Sequence, residues 1–169
     1  MKISKKIRSL IFAVLLIFSL VSISTVDVFA ATGSKTFTSS DKMSIVLPVN
    51  TSDDSSEATI NVSGLPAKAV ITKMTINTGS LSYTGAVVTN YLTIRSSNDR
   101  IEQIPWNGQA NKTLTTNGFL ASLANGTYKL SFNSTCVGGA IVYGKITDFG
   151  TKTYSRPSIT IYWDDSFYN

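Results

Sequence analysis

What most constrains this chain is a set of short segments in which apolar and polar residues take strict turns. Tyr128-Lys129-Leu130-Ser131-Phe132, Ile159-Thr160-Ile161-Tyr162-Trp163 and Ala58-Thr59-Ile60-Asn61-Val62 all repeat every two residues. That period sends one set of side chains to a buried face and the other to water, as in a half-buried β-strand. Met43-Ser44-Ile45-Val46-Leu47, halted at Pro48, and residues 69–77, 87–95 and 101–106 read as further strands, as does the apolar run 140–146. Asn107-Gly108, Asn117-Gly118 and Asn125-Gly126 supply tight turns between them. Residues 119–124 read as one helical turn or a short strand. No 10–15-residue amphipathic helical pattern follows residue 30, so the pattern predicts an all-β sandwich or barrel.

The first thirty residues have a different character. Lys2, Lys5, Lys6 and Arg8 precede an almost unbroken apolar stretch from Leu10 to Ile23, and Val28-Phe29-Ala30-Ala31 ends in small residues. A positive head, an apolar middle and a small-residue exit are the marks of a secretory signal peptide, here cut after Ala30. The apolar stretch is shorter than the roughly 20 residues a bilayer span needs, which predicts no stable membrane insertion after cleavage. The division expected is a signal peptide at 1–30, a flexible entry at 31–42 with one short strand at most, and one β-sandwich domain at 43–169. The destination expected is extracellular, in the manner of an exported bacterial protein.

The formal charge of +5 shrinks once the leader is set aside. The leader holds four of the 15 basic residues and one of the 10 acidic ones, leaving +2. So small an excess makes no basic stripe, and nucleic acid is not an expected partner. With no histidine, Ser-His-Asp and Cys-His mechanisms and histidine-ligated metals are excluded. A single cysteine, Cys136, excludes an internal disulfide framework. Cys136 ends a clean strand and reads as a buried, unreactive thiol, with an intermolecular disulfide as the alternative.

The remaining side chains offer two chemistries. Asp53-Asp54, in a Ser/Thr-rich loop, and Asp164-Asp165, after the last strand, are carboxylate pairs of the kind that hold structural calcium, although no dedicated calcium motif surrounds them. A glycosidase would need two such carboxyls facing across a cleft about 5–10 Å wide, for which a small sandwich has little room. No other cofactor is expected. Trp106 lies between Pro105 and the Asn107-Gly108 turn, which places an aromatic ring at a loop end. Tyr162 alternates out of phase with Ile159, Ile161 and Trp163, so it is expected to face outward. Trp106, Asn107 and Tyr162 are therefore the candidate ligand contacts, because aromatic rings with a polar edge stack on sugars and anchor interfaces. Ser39-Ser40-Asp41-Lys42 matches a Ser-x-x-Lys nucleophile motif but lacks the supporting elements of that chemistry.

The order of features resembles the jelly-roll P domain that accompanies subtilisin-like proprotein convertases. Val46-Leu47-Pro48-Val49 followed by the loop Thr51-Ser52-Asp53-Asp54-Ser55-Ser56 is similar to that family's opening. Gly126-Thr127-Tyr128-Lys129-Leu130-Ser131-Phe132 is similar to its late strand. The family's Asp-rich turn before the closing strands is replaced here by Asn133-Ser134-Thr135-Cys136. The resemblance spans most of residues 43–163 and implies a jelly-roll-type antiparallel β-sandwich with an accessory or binding role.

These readings converge on a secreted, non-catalytic binding module whose partner is a cell-wall or extracellular polysaccharide or a protein surface. The alternatives are an accessory partner, inhibitor or small toxin acting by protein–protein contact, and a small carboxylate-dependent hydrolase.

Overall fold

A computed structural model describes residues 31–166. The expected signal peptide and the aromatic residues Phe167 and Tyr168 lie outside the described residues. Within them there is no α-helix.

The strands are β1 (Thr32–Thr38), β2 (Lys42–Pro48), β3 (Ser52–Asp54), β4 (Ala58–Val62), β5 (Val70–Asn77), β6 (Ser80–Thr84) and β7 (Ala86–Ser96). They continue with β8 (Ile101–Pro105), β9 (Thr113–Thr116), β10 (Gly126–Gly138), the short pair β11 (Ile141–Val142) and β12 (Lys145–Ile146), β13 (Phe149–Ser155) and β14 (Ser158–Asp164). All pairing is antiparallel.

Two ladders run in the same order. One is β1-β14-β5-β9 and the other is β2-β13-β6. Three strands of the first are continuous in the chain with the three of the second, β1 running into β2, β5 into β6 and β13 into β14, while β9 has no counterpart. The breaks fall level with one another, since Ser158 pairs with Thr38 and Asn77 while Ser155 pairs with Lys42 and Ser80. The two ladders are thus one sheet, creased at residues 39–41, 78–79 and 156–157. The Ser39 amide crosses the crease to the Pro157 carbonyl at 2.9 Å. Gly79 sits on it at φ +78, where an added Cβ would lie 2.2 Å from the Ser155 carbonyl oxygen. The opposing sheet is built likewise: β3 and β4 pair with successive halves of β10, which pairs with β7, which pairs with β8.

Counting each creased pair as one long strand and setting aside the separate hairpin β11–β12 leaves eight. In chain order, the sheets run 1-8-3-6 and 2-7-4-5. Successive strands therefore alternate between sheets at most connections, which is the jelly roll of two interlocked Greek keys. The antiparallel sandwich read from the sequence is the fold of this chain.

The core lies between the sheets, where the alternation placed it. Met43, Met74, Ile76, Ile159, Ile161 and Tyr154 from one sheet meet Ile60, Leu92, Ile94, Leu130 and Phe132 from the other. Each fully buried large side chain contributes about 1.5–3 kcal/mol, gained without any crosslink. Cys136 is among the buried residues and is free.

Three expectations need correction. The segment 31–42 is not a flexible entry, because β1 pairs along its whole length with β14. Gly33 makes this possible: the Trp163 ring lies where its side chain would be, 2.5 Å from an ideal Cβ. Residues 119–124 form turns with an isolated bridge from Leu123 to Val70, not a helix or a strand. Residues 140–146 are not an apolar core strand. Tyr143 (φ 50) and Gly144 (φ 75) both take left-handed backbone, which folds the run into the hairpin β11–β12. Its apolar side chains point into solvent, Tyr143 completely so.

Candidate functional site

β8 stops at Pro105, level with Tyr91 in the middle of β7. The chain then crosses to the other sheet through residues 106–112 and enters β9 at Thr113, opposite Asn77. This crossing is pinned on both sides. The Thr78 amide donates to the Lys112 carbonyl at 3.0 Å, the Thr78 hydroxyl to the Gln109 carbonyl at 3.1 Å, and the Asn111 amide to the Gly79 carbonyl at 2.7 Å. From beneath, the Tyr154 hydroxyl donates to the Gly108 carbonyl at 2.5 Å.

An open groove of about 720 Å³ runs along this crossing, walled by Thr89, Asn90, Asn107, Gln109, Lys112 and Leu114, with Pro105 and Trp106 at its edge. Asn90, Asn107, Gln109 and Lys112 are exposed. Asn90 is oriented by bonds from its amide nitrogen to Asn133 Oδ1 at 2.7 Å and Thr135 Oγ1 at 3.1 Å. The groove is therefore a row of amide and ammonium groups on a fixed loop, suited to a ligand rich in hydroxyls.

Two of the three candidate contacts, Trp106 and Asn107, line this groove. Trp106 does so by its edge only. It is 5% exposed and packs against Tyr154 with ring centroids 4.6 Å apart and against Phe132 at 6.5 Å. It offers no open face for a sugar, and its indole N–H is buried without a partner among the described residues. Tyr162 is elsewhere. It is half-buried, with the Lys73 ammonium 5.1 Å from its ring centroid, and lines a separate hollow of about 400 Å³ with Gly33, Thr72 and Trp163. Trp163 is half-buried and packs on the core, following a bulge in β5 opposite Tyr162/Trp163.

The acidic pairs are not brought together. Asp53 and Asp54 lie on β3, with Asp54 Oδ1 accepting from the Asn133 amide nitrogen at 2.7 Å. Asp164 ends β14 in the other sheet, and hydrogen bonds from the Ser166 side chain and amide hold its carboxyl below the usual carboxylate range. Asp165 Oδ1 accepts from the Ala31 amide at 2.5 Å. Among the described residues there is no group of three or more His, Cys, Asp or Glu side chains that could hold a metal ion.

The sequence reading passed over Lys152. In β13, Gly150, Lys152 and Tyr154 take the inward phase, so a lysine stands where an apolar residue belongs; it is 6% exposed. Its own strand gives no clear signal, because the inward phase holds Gly150 and Lys152 beside Tyr154 while Phe149 stands in the outward phase.

No family model matches the chain, and no curated protein matches it. Among solved structures it is similar to FLHE, at 16% identity and TM-score 0.41, covering 78% of this chain and 97% of that one. It is also similar to a structure of infectious bursal disease virus, Gt strain, at 15% identity and TM-score 0.42, covering 81% of this chain but only 33% of that one. A mutant VP2 protein of the same virus matches at 12% identity and TM-score 0.34, over 79% of this chain and 36% of that chain. These likenesses concern the β-rich fold alone.

Proposed function

We propose that this chain is an exported, non-catalytic recognition module that binds an extracellular polysaccharide along the groove of residues 106–112. One observation carries the reading: exposed Asn107, Gln109 and Lys112 ride on a loop that Thr78, Gly79 and Tyr154 hold rigid. A pre-ordered row of hydrogen-bonding groups binds hydroxyl-rich ligands without paying for loop ordering. Loops on a rigid sandwich are where such recognition sits. An accessory role of this kind agrees with the P-domain resemblance.

The test is retention of the purified protein on insoluble cell-wall polysaccharide. Asn107→Ala with Gln109→Ala is expected to lower retention about tenfold while leaving the melting temperature unchanged. Trp106→Ala is a poor probe, since it empties the core. Wild-type protein that passes through every glycan unretained refutes the reading.

A second reading, contact with a protein partner, is favoured by the hairpin β11–β12. Ile141, Val142, Tyr143 and Ile146 are all exposed on a six-residue projection. Tyrosine and isoleucine clustered in this way are costly to leave in water and are common at interface centres.

A further inference from the structure

Among the described residues Lys152 is the one buried cation, and the fold supplies no opposite charge for it. Its Nζ donates to the Val87 carbonyl oxygen at 2.8 Å and lies 5.9 Å from the Tyr154 ring centroid. An ammonium has three donors, and this bond uses one. Among the described residues the ion pair is Lys129 with Glu57, and no carboxylate comes within salt-bridge distance of Lys152. Placing an unpaired charge inside a sandwich costs several kcal/mol, so buried charges are ordinarily matched by an opposite one.

The surroundings show where a counter-charge can enter. Because β8 pairs with β7 only from Tyr91 onward, the first residues of β7 have no β8 residue beside them, and a hollow lies between them and edge strand β6, with Gly108 of the crossing loop close to the Lys152 ammonium. The chain passes from one sheet to the other there at Gly85, which takes φ +72. A cleft of about 290 Å³ results, walled by Leu81, Tyr83, Val87 and Val88, with Lys152 also lining it. Leu81 and Tyr83 share the inward phase of Lys152, since Tyr83 pairs with Lys152 and Leu81 with Tyr154.

We propose that this cleft binds a small organic monocarboxylate, its anionic head on Lys152 and its apolar body against Leu81, Tyr83, Val87 and Val88. One ammonium matches one carboxylate; a phosphate would call for several converging donors, and the walls are apolar. A free acid and the C-terminal carboxylate of a peptide share this chemistry. The proposal does not rest on the polysaccharide reading: the cleft shares no lining residue with the groove, although the Lys152 ammonium lies beside Gly108 of the groove loop.

The probe is benzoate, titrated into the purified protein and followed by amide chemical shifts, with benzamide as the uncharged isostere. N-acetyl-Ala-Phe, with free or amidated C-terminus, tests the peptide source. Benzoate or the free-carboxylate peptide is expected to saturate shifts at Gly85, Val87 and Val88, while benzamide and the amidated peptide bind at least about tenfold more weakly. Whichever of the two binds more tightly names the source. Lys152→Met is expected to cost the same factor, and Val88→Trp, at the exposed mouth, to block entry without touching the lysine. Equal affinity for benzoate and benzamide, shifts confined to another surface, unchanged affinity in Val88→Trp, or no saturation by any carboxylate would each overturn the assignment. If Lys152→Met fails to fold, the wild-type shift map and Val88→Trp still decide it.

Discussion

Tyr154 and Gly108 are joined across the sandwich by a hydrogen bond of 2.5 Å, phenol to carbonyl, although 46 residues separate them. Tyr154 is fully buried and Gly108 lies on the crossing that forms the groove. The contact couples core and loop. Tyr154→Phe keeps the ring and strands the Gly108 carbonyl, which should cost about 1–2 kcal/mol in denaturant unfolding. Gly108→Ala should cost more. Its φ is +81, and a Cβ would stand 2.6 Å from Thr89 Oγ1 and 2.8 Å from Lys152 Nζ. If the two variants unfold at the wild-type midpoint, the loop is not held from below.

Burial pushes the hydroxyls of Tyr128 and Tyr154 from 10.0 up to about 12, opposed at Tyr154 by a hydrogen bond with Thr89. Between pH 10 and 12 the folded chain keeps protons that the unfolded chain has lost. Their contribution to stability is therefore intact below pH 10 and falls as pH rises toward 12, by about 3 kcal/mol for each phenol. Alkaline unfolding curves should show this loss, and Tyr128→Phe should reduce it. A Tyr128→Phe curve parallel to wild type above pH 10 would count against the assignment.

The alternation of Ala58–Val62, of Tyr128 to Phe132 and of Ile159 to Trp163 was enough to place most of the core, because both sheets bury one face and expose the other. The hairpin was illegible for a local reason. Tyr143-Gly144 is an uncommon turn pair, and a seven-residue stretch with five apolar residues, Ala140 to Ile146, ordinarily means a buried strand. β1 was hidden because its partner, β14, is more than a hundred residues away, and residues 32–38 hold a single large apolar residue, Phe37. Trp106 was placed correctly at a loop end, but its ring faces inward because Phe132 and Tyr154 leave it a slot. Whether a loop aromatic turns in or out depends on partners distant in sequence. Lys152 was missed on the same account, since only the opposing β7 shows that its phase is the buried one.

Removing the buried charge should stabilise the fold at neutral pH. Lys152→Met keeps an unbranched side chain one heavy atom shorter and abolishes the desolvation cost of the charge, at the expense of the bond to Val87. The expected net gain is about 1 kcal/mol. Burial holds the Lys152 ammonium below its usual 10.5. Between that lowered value and 10.5 the unfolded chain binds a proton the folded chain has released, so wild-type stability rises with pH there. The advantage of Lys152→Met should accordingly shrink as pH climbs toward 10.5. A gain that is constant with pH would place its origin outside the charge.

The apolar tip of β11–β12 should contribute almost nothing to folding. Tyr143→Ser with Ile146→Ser removes side chains that are 101% and 78% exposed, and the expected change is within about 0.5 kcal/mol. Gly139→Ala at the hairpin's base should behave oppositely, because a Cβ there would lie 1.6 Å from the Thr147 carbonyl oxygen. Chemical denaturation of the two variants side by side separates a projecting tip from a structural base. Equal losses would mean that the tip packs on the sandwich.

Ala31 meets Asp165 where β1 begins and β14 ends. The Ala31 amide donates to Asp165 Oδ1 at 2.5 Å, and the Asp165 amide to the Ala31 carbonyl at 3.2 Å. Cleavage after Ala30, as the sequence predicts, turns the donating nitrogen into a terminal ammonium and the hydrogen bond into an ion pair. The pair is near the surface, so its worth is about 0.5 kcal/mol and fades with added salt. Asp165→Asn should therefore lower the melting temperature of a chain that starts at Ala31, and less so at 1 M salt. The same substitution should matter less in a chain extended upstream, where the nitrogen remains an uncharged amide. A loss of equal size in both chains, insensitive to salt, would show that only the neutral hydrogen bond is at stake there.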